Sequence, residues 1–434
     1  MRVLLFFAVF LCTQQIAFSQ YTREAIQSNS VLGDKRKSFD TYLRESTIAK
    51  AFSMPLDSNS EYQYESACWA ISQFLIQSPV VKSGFDSLYI HYTQLQYSTK
   101  RAFIEAAYAT YPRAFARRFD TLLQQETNPK LFAMQAVYLA RVDSSMERTM
   151  KTLTLLQQRF PGADTLPLLQ EFKKYIVFNN THALQLPPSF NDLFANQKLI
   201  GQKIVYSFQR WDRNYPGLAI IQNADGSFVK DTAGKVLVFQ QLARAGSNLP
   251  YFLTNGNTPQ GIFSIQGTAI SHNNFIGPTP NIQLVMPGEG TDSAYWHMNT
   301  GLAHTVFDST KDALGNYTNL LPASWQSYEP LKEAFYAGKI GRSEIIAHGT
   351  TINPEYFKGM PFYPLTPTLG CLCAKELWNE ADGKLSNSEQ FSLVSAFLST
   401  PGDKGYLFVI DLNNKKQPVT KAEIQKLVDA FEKH

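Results

Sequence analysis

Residues 255–265 read NGNTPQGIFSI, a glycine between two asparagines and then a short apolar run. A turn followed by a strand is the reading such a pattern supports. The same grammar continues on both sides. Upstream, LAII (218–221) and KVLVFQQLA (235–243) are separated by the dipeptide Asp225-Gly226 and by DTAG (231–234). Downstream comes NIQLVMPGEG (281–290), and GYLFVIDL (405–412) is apolar on both faces, as a fully buried strand would be. An amphipathic helix, KAEIQKLVDAFEK (421–433), follows. This half of the chain is mixed and mainly β.

The other half has a different period. TNPKLFAMQAVYLARV (127–142) places Phe132, Ala136, Leu139 and Ala140 on one helical face, and TMKTLTLLQQRF (149–160) does the same with Met150, Leu153, Leu156 and Phe160. Asn128-Pro129 and PGAD (161–164) read as breaks between helices, and LPPSF (186–190) marks the change of composition. Cys68, within ESACWAISQFL, reads as a buried helical thiol. The expected fold is α+β and multidomain: residues 1–19 a signal peptide, 20–195 a solenoid-like helical domain, 196–434 a mainly β domain. A fragment starting near Lys198 is expected to fold by itself.

Composition narrows the functional classes. With 44% hydrophobic and 18% charged residues, the 434-residue chain is globular; its net charge of +4 comes from scattered lysines and arginines, so no nucleic-acid stripe is expected. Arg2, the run VLLFFAVFLC and the small residues at Ala17 and Ser19 form a secretory signal, too short for the roughly 20 residues that span a bilayer. The mature protein is therefore expected to be exported, periplasmic or in the cell envelope, with no transmembrane segment. Of four cysteines, Cys12 leaves with the signal, and the odd remainder (Cys68, Cys371, Cys373) leaves at least one thiol outside intramolecular disulfides.

Residues 348–373, HGTTINPEYFKGMPFYPLTPTLGCLC, leave three chemistries open: a metal site, a disulfide, or a nucleophile with its base. C-x-C is tighter than the usual zinc spacing and no fourth ligand lies near, so no metal is expected. Alternate residues on a strand lie about 6.5–6.8 Å apart, the outer limit of disulfide geometry. A Cys371–Cys373 bond would be strained, and a reduced state is expected, with Cys373 a bystander or a redox switch. A cysteine nucleophile needs a base, which His348 can supply, and Gly370 allows close backbone approach beside amides able to hold an oxyanion. On the residues alone, a structural role for both stands beside the catalytic one.

Taken together, TPQGIFSI (258–265) and HGTT…TLGC (348–371) resemble the catalytic domain of L,D-transpeptidases, which cross-link peptidoglycan. The resemblance covers roughly residues 198–413 and none of the helical half. It implies a β-sandwich-like domain without metal or organic cofactor. Cys371 would be the nucleophile, His348 its general base, Gly370, Gly349 and Thr350 oxyanion or positioning groups, and peptidoglycan stem peptides the substrate. The family usually carries arginine, or asparagine in one branch, two residues after the cysteine; here Cys373 stands there. A thiol cannot replace a guanidinium fork. Lys375 is the nearest cation in sequence, and His297 is a further substrate-binding candidate. Residues 294–325, which also hold His304, read as an inserted lid or substrate wall. The alternative reading is a catalytically degenerate wall-binding envelope protein whose helical domain recruits a protein partner.

Overall fold

The computed structural model describes residues 22–181, 185–298, 307–364 and 368–433; the signal peptide expected at 1–19 and His304 lie outside them. The chain is α+β, with a helical N-terminal part and an eight-stranded closed barrel. Among the described residues no helix is long and apolar enough to cross a membrane.

Helices Glu61–Phe74, Tyr97–Thr110, Pro129–Val142 and Pro167–Thr181 stack in succession, with Pro79–Ile90, Ala116–Leu123 and Met146–Arg159 between them. Local chemistry sets their starts: Ser78 and Asn128 cap helices that open on Pro79 and Pro129, where proline loses no hydrogen bond. Stacking repeats at a constant spacing. Gln77 Nε2 donates to Thr110 O (2.7 Å), Ser98 Oγ to Glu65 (2.8 Å) and Arg141 Nη1 to Tyr108 O (3.0 Å), each pair 33 residues apart. Each of these bonds joins neighbouring segments of the helical part.

The barrel strands are β1 (Lys203–Arg210), β2 (Gly217–Gln222), β3 (Phe239–Leu242), β4 (Gly261–Ala269), β5 (Asn281–Val285), β6 (Ile346–His348), β7 (Leu372–Ala374) and β10 (Gly405–Asn413); β8 (Glu376–Trp378) and β9 (Leu385–Ser388) form a separate hairpin. The ring runs β1-β10-β4-β5-β6-β7-β3-β2 and closes through β2 on β1, with only β1/β10 and β6/β7 parallel. All eight strands send a side chain inward, among them Val205, Ile221, Phe263, Ala347, Leu372 and Leu407, and helix Glu389–Phe397 adds Leu393 and Phe397. The outward residues of β1 and β10 (Tyr206, Phe208, Tyr406, Phe408) are covered in turn by Phe194, Trp325 and the Lys421–Glu432 helix. That double cover explains why GYLFVIDL is apolar on both faces.

Packing bears on three of the expectations. Helix Phe190–Ala195 packs Phe194 on Tyr206, Phe208 and Phe228, so it belongs to the barrel layer, not the helical domain. Residues 294–325 are no lid where described: Tyr295, Tyr317, Leu320 and Trp325 are buried in the barrel's outer cover. The two parts also share packing. Leu249, Phe252 and Leu253 from the loop after β3, with Phe357, Phe362 and Cys373, share one apolar core with the helices. Residues of that loop also bond three successive stacked helices: Asn255 Nδ2 to Glu105 (3.0 Å), Lys130 Nζ to Thr254 Oγ1 (3.0 Å), and Tyr251 to Glu171. At the N-terminus, Leu385 N–H donates to Ile26 O (3.1 Å) and Arg36 pairs with Glu380, strapping the first helical residues to the β8–β9 hairpin.

Candidate functional site

The two sequence segments meet at one turn. Gly370 has φ +117°, a conformation that disfavours any Cβ, and its carbonyl accepts from Thr258 Oγ1 at 2.8 Å. The first residue of TPQG thus holds the turn that carries the cysteine. Cys371 then leads directly into β7, beside the parallel β6 that ends in His348.

Pairing sets the relation of the two groups. Ala347 lies opposite Leu372 and His348 opposite Cys373, so Cys371 sits two positions back from the histidine on the neighbouring strand. Cys371 is partly open to solvent. Its Sγ contacts Glu344 O at 3.5 Å. Burial by the surrounding atoms pushes its thiol up to about 11, while the Ile346 backbone N–H and the Arg342 guanidinium pull it back. His348 is fully buried, and that burial pushes its imidazole down to about 4, so the ring is neutral at pH 7. Its Nδ1 bonds Gly349 O, which defines Nδ1 as the protonated nitrogen and leaves Nε2 the lone pair. Nε2 has no hydrogen-bond partner among the described residues. The structure therefore puts thiol and imidazole on adjacent strands without a hydrogen bond between them.

Arg342 is a residue the sequence reading missed. Its guanidinium, 8% exposed, donates to four carbonyls, those of Tyr251, Gly256, Asn257 and Leu369. Burial lowers it only to about 10, so it is cationic at neutral pH, close enough to Cys371 to act on its thiol. A lone arginine six positions before the histidine carries no local signal. Glu376 was also missed, although a single carboxylate in the apolar run LCAKELW was a readable sign. It accepts from Thr350 N–H (2.8 Å) and Ser388 Oγ (2.6 Å), and a Cβ on Gly349 would overlap its carboxyl group. Gly349 and Thr350 are thus held beneath His348 by a buried acid that burial pushes up to about 7.

The other candidates fall elsewhere. Lys375 offers its carbonyl to Glu389 N–H, and no bond links it to Cys371 or His348. His297 is bonded to Ser264 Oγ (2.7 Å), Gln202 Oε1 (2.7 Å) and Ile265 O (3.1 Å), against the Tyr406 ring. The three described cysteines are free thiols; Cys373 Sγ lies against Pro364 O (3.6 Å) and Ala374 O (3.7 Å). No group of three or more histidine, cysteine, aspartate or glutamate residues able to hold a metal occurs among the described residues.

The local charges set the thiol's reactivity. Alkylation of Cys371 by iodoacetamide is expected to climb with pH toward about 11, since only the thiolate reacts. Arg342→Gln removes the attraction for that thiolate, so labelling at pH 8.5 should slow by about tenfold for each unit the thiol rises. Unchanged labelling in a variant that still melts cooperatively would show that Arg342 does not act on the sulfur.

No family model, curated protein or solved structure matches this chain.

Proposed function

We propose that the protein is an exported cysteine acyltransferase of the L,D-transpeptidase kind, acting on peptidoglycan stem peptides. Cys371 Sγ would attack the carbonyl of the diamino-acid residue, its proton passing to His348 Nε2 and then to the amine of the departing D-alanine. An amine of a second stem, or water, would cleave the thioester and restore the thiol. The Gly370 and Cys371 amides would hold the oxyanion, and Arg342 would supply positive charge beside them. The observation that carries this reading is the Thr258–Gly370 bond, which joins the two family-like segments at the cysteine although they lie more than a hundred residues apart.

A second reading, a degenerate wall-binding protein, is favoured by one observation: His348 is wholly buried and makes no bond to a thiol held near 11. Intact-mass measurement after incubation with a carbapenem separates the two. The acyltransferase is expected to gain the mass of one β-lactam, Cys373→Ala to gain it equally, and Cys371→Ala to gain nothing. A wild-type protein that gains no mass and releases no D-alanine from stem peptides would leave only the second reading.

A further inference from the structure

A cavity of about 470 Å³ lies between the last stacked helix and the barrel, and Cys371 is not among its lining residues. Five carboxylates line it (Glu171, Asp212, Glu329, Glu333, Asp411) against three cations (Lys174, Arg213, Lys416). Two of the cations are already matched. Lys174 Nζ lies 2.7 Å from Glu171, and Arg213 is paired with Asp411. Glu333 is different. Its Oε2 accepts the Gln260 N–H at 2.8 Å, and no ion pair joins it among the described residues. The rings of Trp211, Tyr251 and Tyr336 also line the cavity. The Lys174 ammonium sits 4.2 Å from the Tyr336 centroid, so this wall already holds an alkylammonium on an aromatic face.

From this arrangement we infer that the cavity binds a primary ammonium on an aliphatic stem, with Glu333 as counter-ion and the aromatic rings packed along the stem. An ionised carboxylate largely withdrawn from water and without a cation is costly, and a ligand that brings one removes that cost. Aromatic walls suit the methylenes of the stem as well as its charged end. With Glu329 paired to Lys332, the acids outnumber the cations by one when Glu333 is ionised, and an anionic ligand would face that charge. The inference goes beyond acyl transfer and does not rest on it.

The charge state of Glu333 gives the site a pH signature. Burial, with Asp411 and Glu171 nearby, pushes its carboxyl up to about 8 against the pull of the Gln260 N–H and of Arg213, and the phenols of Tyr251, Tyr317 and Tyr328 lie close enough to interact with it. Below that pH the site is neutral and must release a proton to pair with an ammonium. Above it the pair forms directly, while an alkylamine stays charged to about 10. Affinity for an amine should therefore rise from pH 6.5 to about 9.

The test is calorimetric titration of the full mature chain with n-pentylamine and with 1-pentanol, its uncharged counterpart. Pentylamine should bind saturably at pH 8.5, at least about tenfold tighter than pentanol, a gap near 1.4 kcal/mol. Glu333→Gln should erase that preference and the pH dependence, and Cys371→Ala should alter neither. Equal binding of amine and alcohol, no saturable amine binding, or a folded Glu333→Gln that still prefers the amine would each overturn the inference. The amine–alcohol comparison and pH series on unmodified protein decide the matter even if the variant does not fold.

Discussion

Produced alone, residues 198–434 are expected to be insoluble or to melt without a cooperative transition, while the full chain unfolds as one unit. Removal of the helices would bare Leu242, Leu249, Phe252, Leu253, Ile352, Phe357, Phe362 and Tyr363, all now in the shared core. Full exposure of a large apolar side chain costs about 1.5–3 kcal/mol, so eight of them approach or exceed the roughly 5–15 kcal/mol that holds a domain folded. The partners of Thr254, Tyr251 and Asn255 would go as well. Solubility and a thermal melt followed by circular dichroism would check this. A soluble fragment with a sharp melt would show that the barrel is stable without its helical cradle.

Gly370→Ala is expected to damage the site more than any other single methyl group. Its φ of +117° strains any L side chain, and the new Cβ would overlap the Arg342 guanidinium and sit 2.8 Å from Gly256 O. Strain and overpacking together cost about 2–6 kcal/mol. Gly359→Ala is the control: its φ of +81° brings strain, but nothing lies within 4 Å of the added carbon. Urea unfolding of the two variants should separate by the packing contribution, with Gly370→Ala the less stable. Equal midpoints would mean that Arg342 is not packed against the turn.

Parts of this architecture were readable from residues and parts were not, for physical reasons. Asn128-Pro129 and Ser78-Pro79 combine a cap with a proline, and local chemistry is enough to start those helices. GYLFVIDL became β10 because a run apolar on both faces has little alternative. Met150 shares a helical face with Leu156 yet is 55% exposed, because its helix buries only a narrow stripe on its neighbours. The 33-residue spacing left no repeated motif, since each stacked contact uses different residues: Gln77 with Thr110, Arg141 with Tyr108. At the site, Thr258, Gly370, Cys371 and His348 were visible as motif residues. Arg342 was not, because its role comes from four carbonyls of distant segments, which no local pattern announces.

The closed ring also dictates an order of assembly. β1 pairs in parallel with β10, Lys203 opposite Gly405, a separation of 405 − 203 = 202 residues. Closing so long a loop is slow, because its entropy must be spent before the contacts reward it, whereas the stacked helices make their contacts over about 33 residues. During synthesis the helical array can therefore form first, while one edge of β1 waits unpaired until every other barrel strand has emerged. An open strand edge of that kind invites pairing with other chains. The late arrival of β10 makes this interval the stage at which the nascent protein is most prone to aggregate.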